Sequence, residues 1–203
     1  MSEPIRSPKL LCLILLLAGT TLSWAGTIDG EVHFQGHAAD RKAAVVYVAD
    51  IQDPPIEATA VMDQKNLEFM PHLLVIQRGT TVQFPNDDPL KHNVYSISAA
   101  ERFNLGMYAQ GESRSLVFDR VGVVKISCAV HLQMSAYIVV VPNKYFAVVG
   151  ADGRFRIPNV PAGLHELHYW QESSGEQVLK AQVPDQGSVT IRVDDKQTGT
   201  RAG

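Results

Sequence analysis

An all-β architecture of packed sheets is the fold class this 203-residue sequence predicts, on three observations. Short runs rich in Val, Ile, Thr and aromatic residues recur along the chain, each bounded by Gly, Pro, Asn or Asp. Within them apolar and polar residues alternate with the two-residue period of a strand: Val82 and Phe84 share one face, Thr81 and Gln83 the other. No stretch sustains the apolar period of an amphipathic helix, and only residues 99–104 are expected to form a short helical turn. Short strands at close spacing with many turn signals mean a β-sandwich.

Taken in order, the chain opens with Arg6 and Lys9 ahead of an apolar run over residues 10–18. Ser23-Trp24-Ala25 then offers small residues at the two positions a signal peptidase reads. Residues 1–25 are therefore expected to be a secretory leader cleaved after Ala25, giving a periplasmic or secreted mature protein. The run falls short of the about 20 apolar residues a spanning helix needs; an uncleaved anchor is the alternative. The formal charge of −3 argues against nucleic acid or an anionic membrane as the main partner. Of the two cysteines, Cys12 leaves with the leader, so Cys128 has no internal disulfide partner in an oxidising compartment. Such a thiol is buried and inert, paired with another chain, or held by a metal.

Residues 27–34 and 43–51 read as two strands joined by a polar turn, after which Pro54-Pro55 breaks the pattern. Residues 72–77 and 80–85 flank a turn at Gly79, and runs at 92–98, 113–119, 121–128 and 134–141 follow. Beyond Pro142 a second set is expected at 146–149, 153–157, 164–170, 178–183 and 188–193, with Asp152-Gly153 as a hairpin turn. The polar tail from Asp194 on, with 196–203 beyond the last domain, is expected to fray.

The chemistry concentrates in Cys128-Ala129-Val130-His131-Leu132-Gln133-Met134, a thiol, an imidazole and a thioether directly after a strand. With one more imidazole these are the ligands of a blue-copper site: two His and a Cys in a plane, with a weak axial Met. Strand parity places Val124, Ile126 and Cys128 on one face, opposite Lys125 and Ser127, so the thiol points inward at the strand end. His92, at the start of another strand, is the candidate second imidazole. Asn93 is placed to hydrogen-bond across to the Cys128 loop, and Asn86 can brace the same end. Given a Cys, His at +3 and Met at +6 arise by chance on the order of one time in a thousand at this chain's content of 7 His and 5 Met. The bland alternative is a buried free Cys, a surface His and a core Met.

Residues 62–142 resemble the cupredoxins of the amicyanin and plastocyanin type. The resemblance rests on Thr80-Thr81-Val82-Gln83-Phe84-Pro85-Asn86, then His92-Asn93-Val94, then Cys128, His131 and Met134 in order. One departure is Leu132, where amicyanin-like loops carry Pro, which bears on loop rigidity. The resemblance implies a Greek-key sandwich holding one type 1 copper ion, with His92, Cys128 and His131 in plane and Met134 axial. It also implies one-electron transfer rather than enzymatic catalysis, to a transient redox partner such as a cytochrome or a dehydrogenase. His131 is the expected electron port, with Pro89, Leu90, Met107, Tyr108 and Leu132 as the apolar rim around it. Residues 146–170, with Asp152-Gly153-Arg154-Phe155, Ile157-Pro158-Asn159-Val160-Pro161 and Gly163, resemble the second half of a carboxypeptidase regulatory-like (transthyretin-like) sandwich. The pairing of the two also resembles proteins described as methylamine-utilisation-like.

The expected domain plan is a discontinuous second sandwich, residues 26–55 with 143–195, around a copper domain at 56–142. In the competing plan residues 26–51 supply strands to the copper domain. Functionally, a periplasmic copper-holding carrier, or a non-redox binding sandwich with a vestigial metal loop, are the alternatives. Cys128 lies between Ser127 and Ala129, so no His relay to a second copper exists, and one Cys cannot build a binuclear copper centre. No oxyanion motif accompanies the Cys–His pair. His165-Glu166-Leu167-His168 is one residue short of a zincin spacing and sets its two His on opposite faces of a strand. His72 is expected to be structural, Met62, Met70 and Met107 to be loop or core residues, and Asp87-Asp88 to be a solvated turn.

Overall fold

The computed structural model describes residues 25–34 and 43–195. The expected leader up to Trp24 and the tail 196–203 lie outside the described residues. Among the described residues seventeen strands follow one another: β1 (Ala25–Phe34), β2 (Ala44–Val48), β3 (Thr59–Val61), β4 (Asp63–Lys65), β5 (Glu68–Met70) and β6 (Leu73–Gln77). Next come β7 (Thr80–Pro85), β8 (His92–Ile97), β9 (Arg102–Tyr108), β10 (Ser113–Phe118), β11 (Gly122–Ser127) and β12 (Ser135–Val141). The last are β13 (Phe146–Val148), β14 (Arg154–Pro161), β15 (Gly163–Gln171), β16 (Gly175–Val183) and β17 (Ser188–Asp195). The fold is all-β. Among the described residues no helix is long and apolar enough to cross a membrane.

The middle of the chain builds a five-stranded sheet, order β6-β12-β11-β8-β9, against a three-stranded sheet, β10-β7-β3. Their inner faces share one core that includes Met62, Phe84, Val94, Phe118, Ile126 and Ile138. The alternation at β7 is observed: Val82 and Phe84 are buried, Gln83 is exposed, and Thr81 is half-buried. In β11, Val124 and Ile126 are likewise buried while Lys125 is exposed. A single apolar face per strand is what packs two sheets together.

The remaining strands form sheets β14-β1-β17 and β13-β2-β15-β16 around Ile28, Val46, Phe155, Leu167, Tyr169 and Val193. Strand β1 runs antiparallel to β14 and parallel to β17, and β2 lies between β13 and β15. Both early strands thus pair with strands about a hundred residues or more later. Gly30 sits under the Phe155 ring, where a Cβ would overlap ring atoms at 2.0 Å, so this crossing requires glycine. Between the two cores lies a third cluster, in which Val139 and Val141 of β12 meet Val45 and Tyr47 of β2 and Trp170 of β15. Strand β2 is consequently buried on both faces, which accounts for its unbroken apolar run.

Two expectations are overturned. Asp194 and Asp195, expected to open the frayed tail, instead complete the last strand, β17. The helical turn proposed at 99–104 is instead a bend followed by β9, which pairs antiparallel with β8 through Ser96↔Phe103 and Tyr95↔Asn104. Phe103 and Leu105 alternate with exposed Arg102 and Asn104 and pack on the core, a two-residue period too brief to read alone. Strands β3, β4 and β5, each of three residues, were also not expected. Neighbouring strands define them, not their own composition.

Candidate metal centre

Strands β8, β11 and β12 are neighbours in one sheet, and the seven residues that join β11 to β12 close over its end. The last rung pairs Ser127 with Ser135 on one side and with Tyr95 on the other. Cys128 therefore leaves the sheet level with Val94, and His92 stands two residues along the same inner face. Three backbone contacts shape the loop. Met134 N–H donates to His131 O at 2.9 Å and Cys128 N–H to Met134 O at 3.2 Å. Ala129 N–H donates to Asn93 Oδ1 at 2.7 Å, so Asn93 ties the loop to the neighbouring strand.

Within this frame three donors converge. The Cys128 sulfur lies 3.8 Å from Nδ1 of His92 and 3.8 Å from Nδ1 of His131, and the two Nδ1 atoms are 2.9 Å apart. A point equidistant from all three lies about 2 Å from each, the length of first-row transition-metal bonds to imidazole nitrogen and thiolate sulfur. The rings stand at 66° to each other with centroids 4.6 Å apart, so both present an edge nitrogen to the same point. His92 and Cys128 are buried, and His131 is partly exposed at the loop apex. Among the described residues this is the one group of three such side chains whose donors gather within 4.8 Å. Met134 is buried in the same core cluster as Cys128. Burial lowers the His92 pKa, with the charge of His131 acting the same way and Asp88 opposing. A neutral imidazole is the form that ligates.

Two neighbours differ from expectation. Asp88 is not solvated: it is 3% exposed, and its Oδ2 accepts Leu67 N–H at 2.7 Å and lies 3.4 Å from His92 Nε2. The Leu67 N–H is the main cause holding its carboxyl below the ordinary range. Its burial depends on the β4–β5 hairpin folding over it, and the sequence offers only the i,i+4 spacing to His92 as a signal. Tyr108 is not part of the rim: it is buried, donates to Phe84 O at 2.9 Å and accepts from Gln64 Nε2 at 2.5 Å. Burial pushes its phenol up to about 12. Pro89, Leu90, Met107 and Leu132 are exposed, as is Val130. Asn86 braces this end by donating to Leu90 O at 2.8 Å and Tyr108 O at 3.2 Å.

The other candidates have local partners. His165 faces Asp50 at 3.1 Å and Pro161 O at 2.9 Å, and His168 lies between Glu176 at 2.7 Å and Glu166 at 3.0 Å. His72 pairs with Glu172 at 2.8 Å. Met62 is core, while Met70 and Met107 are half-exposed.

No family model and no curated protein matches the chain. Among solved structures it is similar to a purple cupredoxin from Nitrosopumilus maritimus, at 29% identity and TM-score 0.36, over 41% of this chain and 98% of that one. It is also similar to a reduced amicyanin carrying one substitution, at 23% identity and TM-score 0.38, over 49% of this chain and 98% of that one. An oxidised amicyanin variant gives the same figures, 23%, 0.38, 49% and 98%. These solved structures are cupredoxins, each matched by less than half of this chain.

Proposed function

We propose that this chain is an exported copper protein that carries single electrons, and that His92, Cys128, His131 and the thioether of Met134 would hold one type 1 copper ion. The observation that carries the reading is the meeting of one thiol and two imidazole nitrogens around a single metal-sized point. Bound copper supplies one-electron exchange between Cu(I) and Cu(II), for which a mixed sulfur and imidazole set suits both states. The protein's own part is to exclude water through the burial of His92 and Cys128 and to hold the loop through Asn93. His131, partly exposed among apolar residues, is the route to a transient partner such as a cytochrome or dehydrogenase. Four donors leave no open position for a substrate, so the reading is a carrier and not an enzyme. The chain divides in this reading into a copper domain at 56–142 and a regulatory-like sandwich made of 26–55 and 143–195.

Loading the mature chain with Cu(II) is expected to give the intense blue absorption of a thiolate–copper bond. Cys128→Ser is expected to abolish it, and a variant that still turns blue would overturn the assignment. Rapid electron exchange with a cytochrome, followed by stopped flow, separates a carrier from a copper-holding protein, which would exchange slowly or not at all.

A further inference from the structure

His92 presents Nδ1 toward Cys128, and its other nitrogen faces a buried carboxylate. Asp88 Oδ2 stands 3.4 Å from Nε2, longer than a good hydrogen bond, and that buried nitrogen has no hydrogen-bond partner. The carboxylate is tethered from two directions. Leu67 N–H donates to Oδ2 at 2.7 Å, and Leu90 N–H approaches Oδ1 at 3.4 Å. Asp88 N–H in turn donates to Asn86 Oδ1 at 3.0 Å, and Asp87 N–H donates to Gln64 O at 3.0 Å.

The tether at Leu67 is itself unusual. Lys65 pairs with Glu68, so Asn66 and Leu67 are the two central residues of the β4–β5 turn, with φ of 55° and 61°. A two-residue turn of this kind favours Asn-Gly, and a leucine at its second position is disfavoured by its Cβ. The hairpin is nevertheless held against the loop that carries Asp88, through the Leu67 and Gln64 bonds. Turn, carboxylate and imidazole form one connected line that ends at Nδ1 of His92.

We infer that Asp88 is a positioning residue of the copper centre: it keeps the His92 proton on Nε2, frees Nδ1 for the metal, and sets a buried negative charge behind that ligand. The charge favours Cu(II) over Cu(I), and the β4–β5 turn sets where the carboxylate stands. This rests on the copper reading above. A carboxylate that merely braced the loops would need its oxygens but not its charge, which separates the two roles.

The first measurement needs no copper. In metal-free protein, long-range nitrogen–proton NMR is expected to show His92 as the Nε2–H tautomer; an Nδ1–H tautomer overturns the inference whatever copper does. The second compares Asp88→Asn with Asp87→Asn, which removes the same charge from the exposed neighbour. D88N is expected to stay blue while its preference shifts roughly tenfold toward Cu(I), a rise of about 59 mV for a one-electron couple. D87N is expected to leave the potential unchanged. An unchanged potential in D88N, or equal shifts in both, makes Asp88 a brace only and refutes the inference. A colourless wild-type protein would refute the copper reading instead, while the tautomer still tests what Asp88 does to His92.

Discussion

Asn93 shows how much one side chain does at this end of the molecule. Its Oδ1 accepts the first backbone N–H after Cys128, and its Nδ2 reaches Asn104 Oδ1 at 3.4 Å on the next strand. Asn93→Ala would leave the Ala129 N–H without its protein partner, at a cost of about 1 kcal/mol. A lowered thermal midpoint and faster loss of bound copper are the expected outcomes, measured by calorimetry and by competition with a chelator. An unchanged copper off-rate would show that the loop holds its shape without this tie. The neighbouring residue, His92, depends on position more than on identity: a histidine at a strand end is unremarkable until Cys128 and His131 stand within 3.8 Å and 2.9 Å of its ring nitrogen.

At the level of elements, the β15–β16 hairpin carries a charge pattern that is open to titration. His168 on β15 lies between Glu166 of its own strand and Glu176 of β16. Burial by itself would lower this imidazole, but hydrogen bonds and charge from Glu176 and Glu166 outweigh it and raise the pKa above 6.5. A raised histidine stabilises the fold fully below the unfolded pKa, and that contribution is lost as pH rises through the folded pKa. The carboxylates are nearly half exposed, so the effect is small, on the order of a few tenths of a kcal/mol. Ring titration by NMR is expected to place the midpoint above the ordinary value, with Glu176→Gln bringing it down. A wild-type midpoint at or below 6.5 would contradict the pairing. Strand β12 carries a different load, since it packs on the core around Phe84 and Phe118 through Ile138 and Val140 and on the seam through Val139 and Val141.

Across the whole molecule, that seam joins the two larger cores through the faces of their sheets. Trp170 is its largest side chain, its ring 4.9 Å from that of Tyr137. Trp170→Ala would remove apolar contacts from both sides and is expected to destabilise by about 3 kcal/mol. Urea denaturation monitored by copper absorbance and by circular dichroism reads the consequence. Coincident transitions in the wild type that separate in the variant would show the seam coupling the two cores. A midpoint that does not move would show that each core stands alone.

What could be read from the sequence alone was local. Alternation in β7 and β11 told which face is buried, because a strand's period of two is written in consecutive residues. The Cys128–His131–Met134 spacing was equally visible, since a single loop sets it. The tertiary structure decided whatever depends on distant segments meeting. It paired β1 and β2 with strands from the other end of the chain, turned residues 102–104 into a strand beside β8, and buried Tyr108 instead of leaving it at the rim. It also folded a strained hairpin over Asp88, so that a residue with every mark of a solvated turn stands against His92. Periodicity records which side of an element is apolar; it does not record which other element covers that side, and for Asp88 the covering element decides its chemistry.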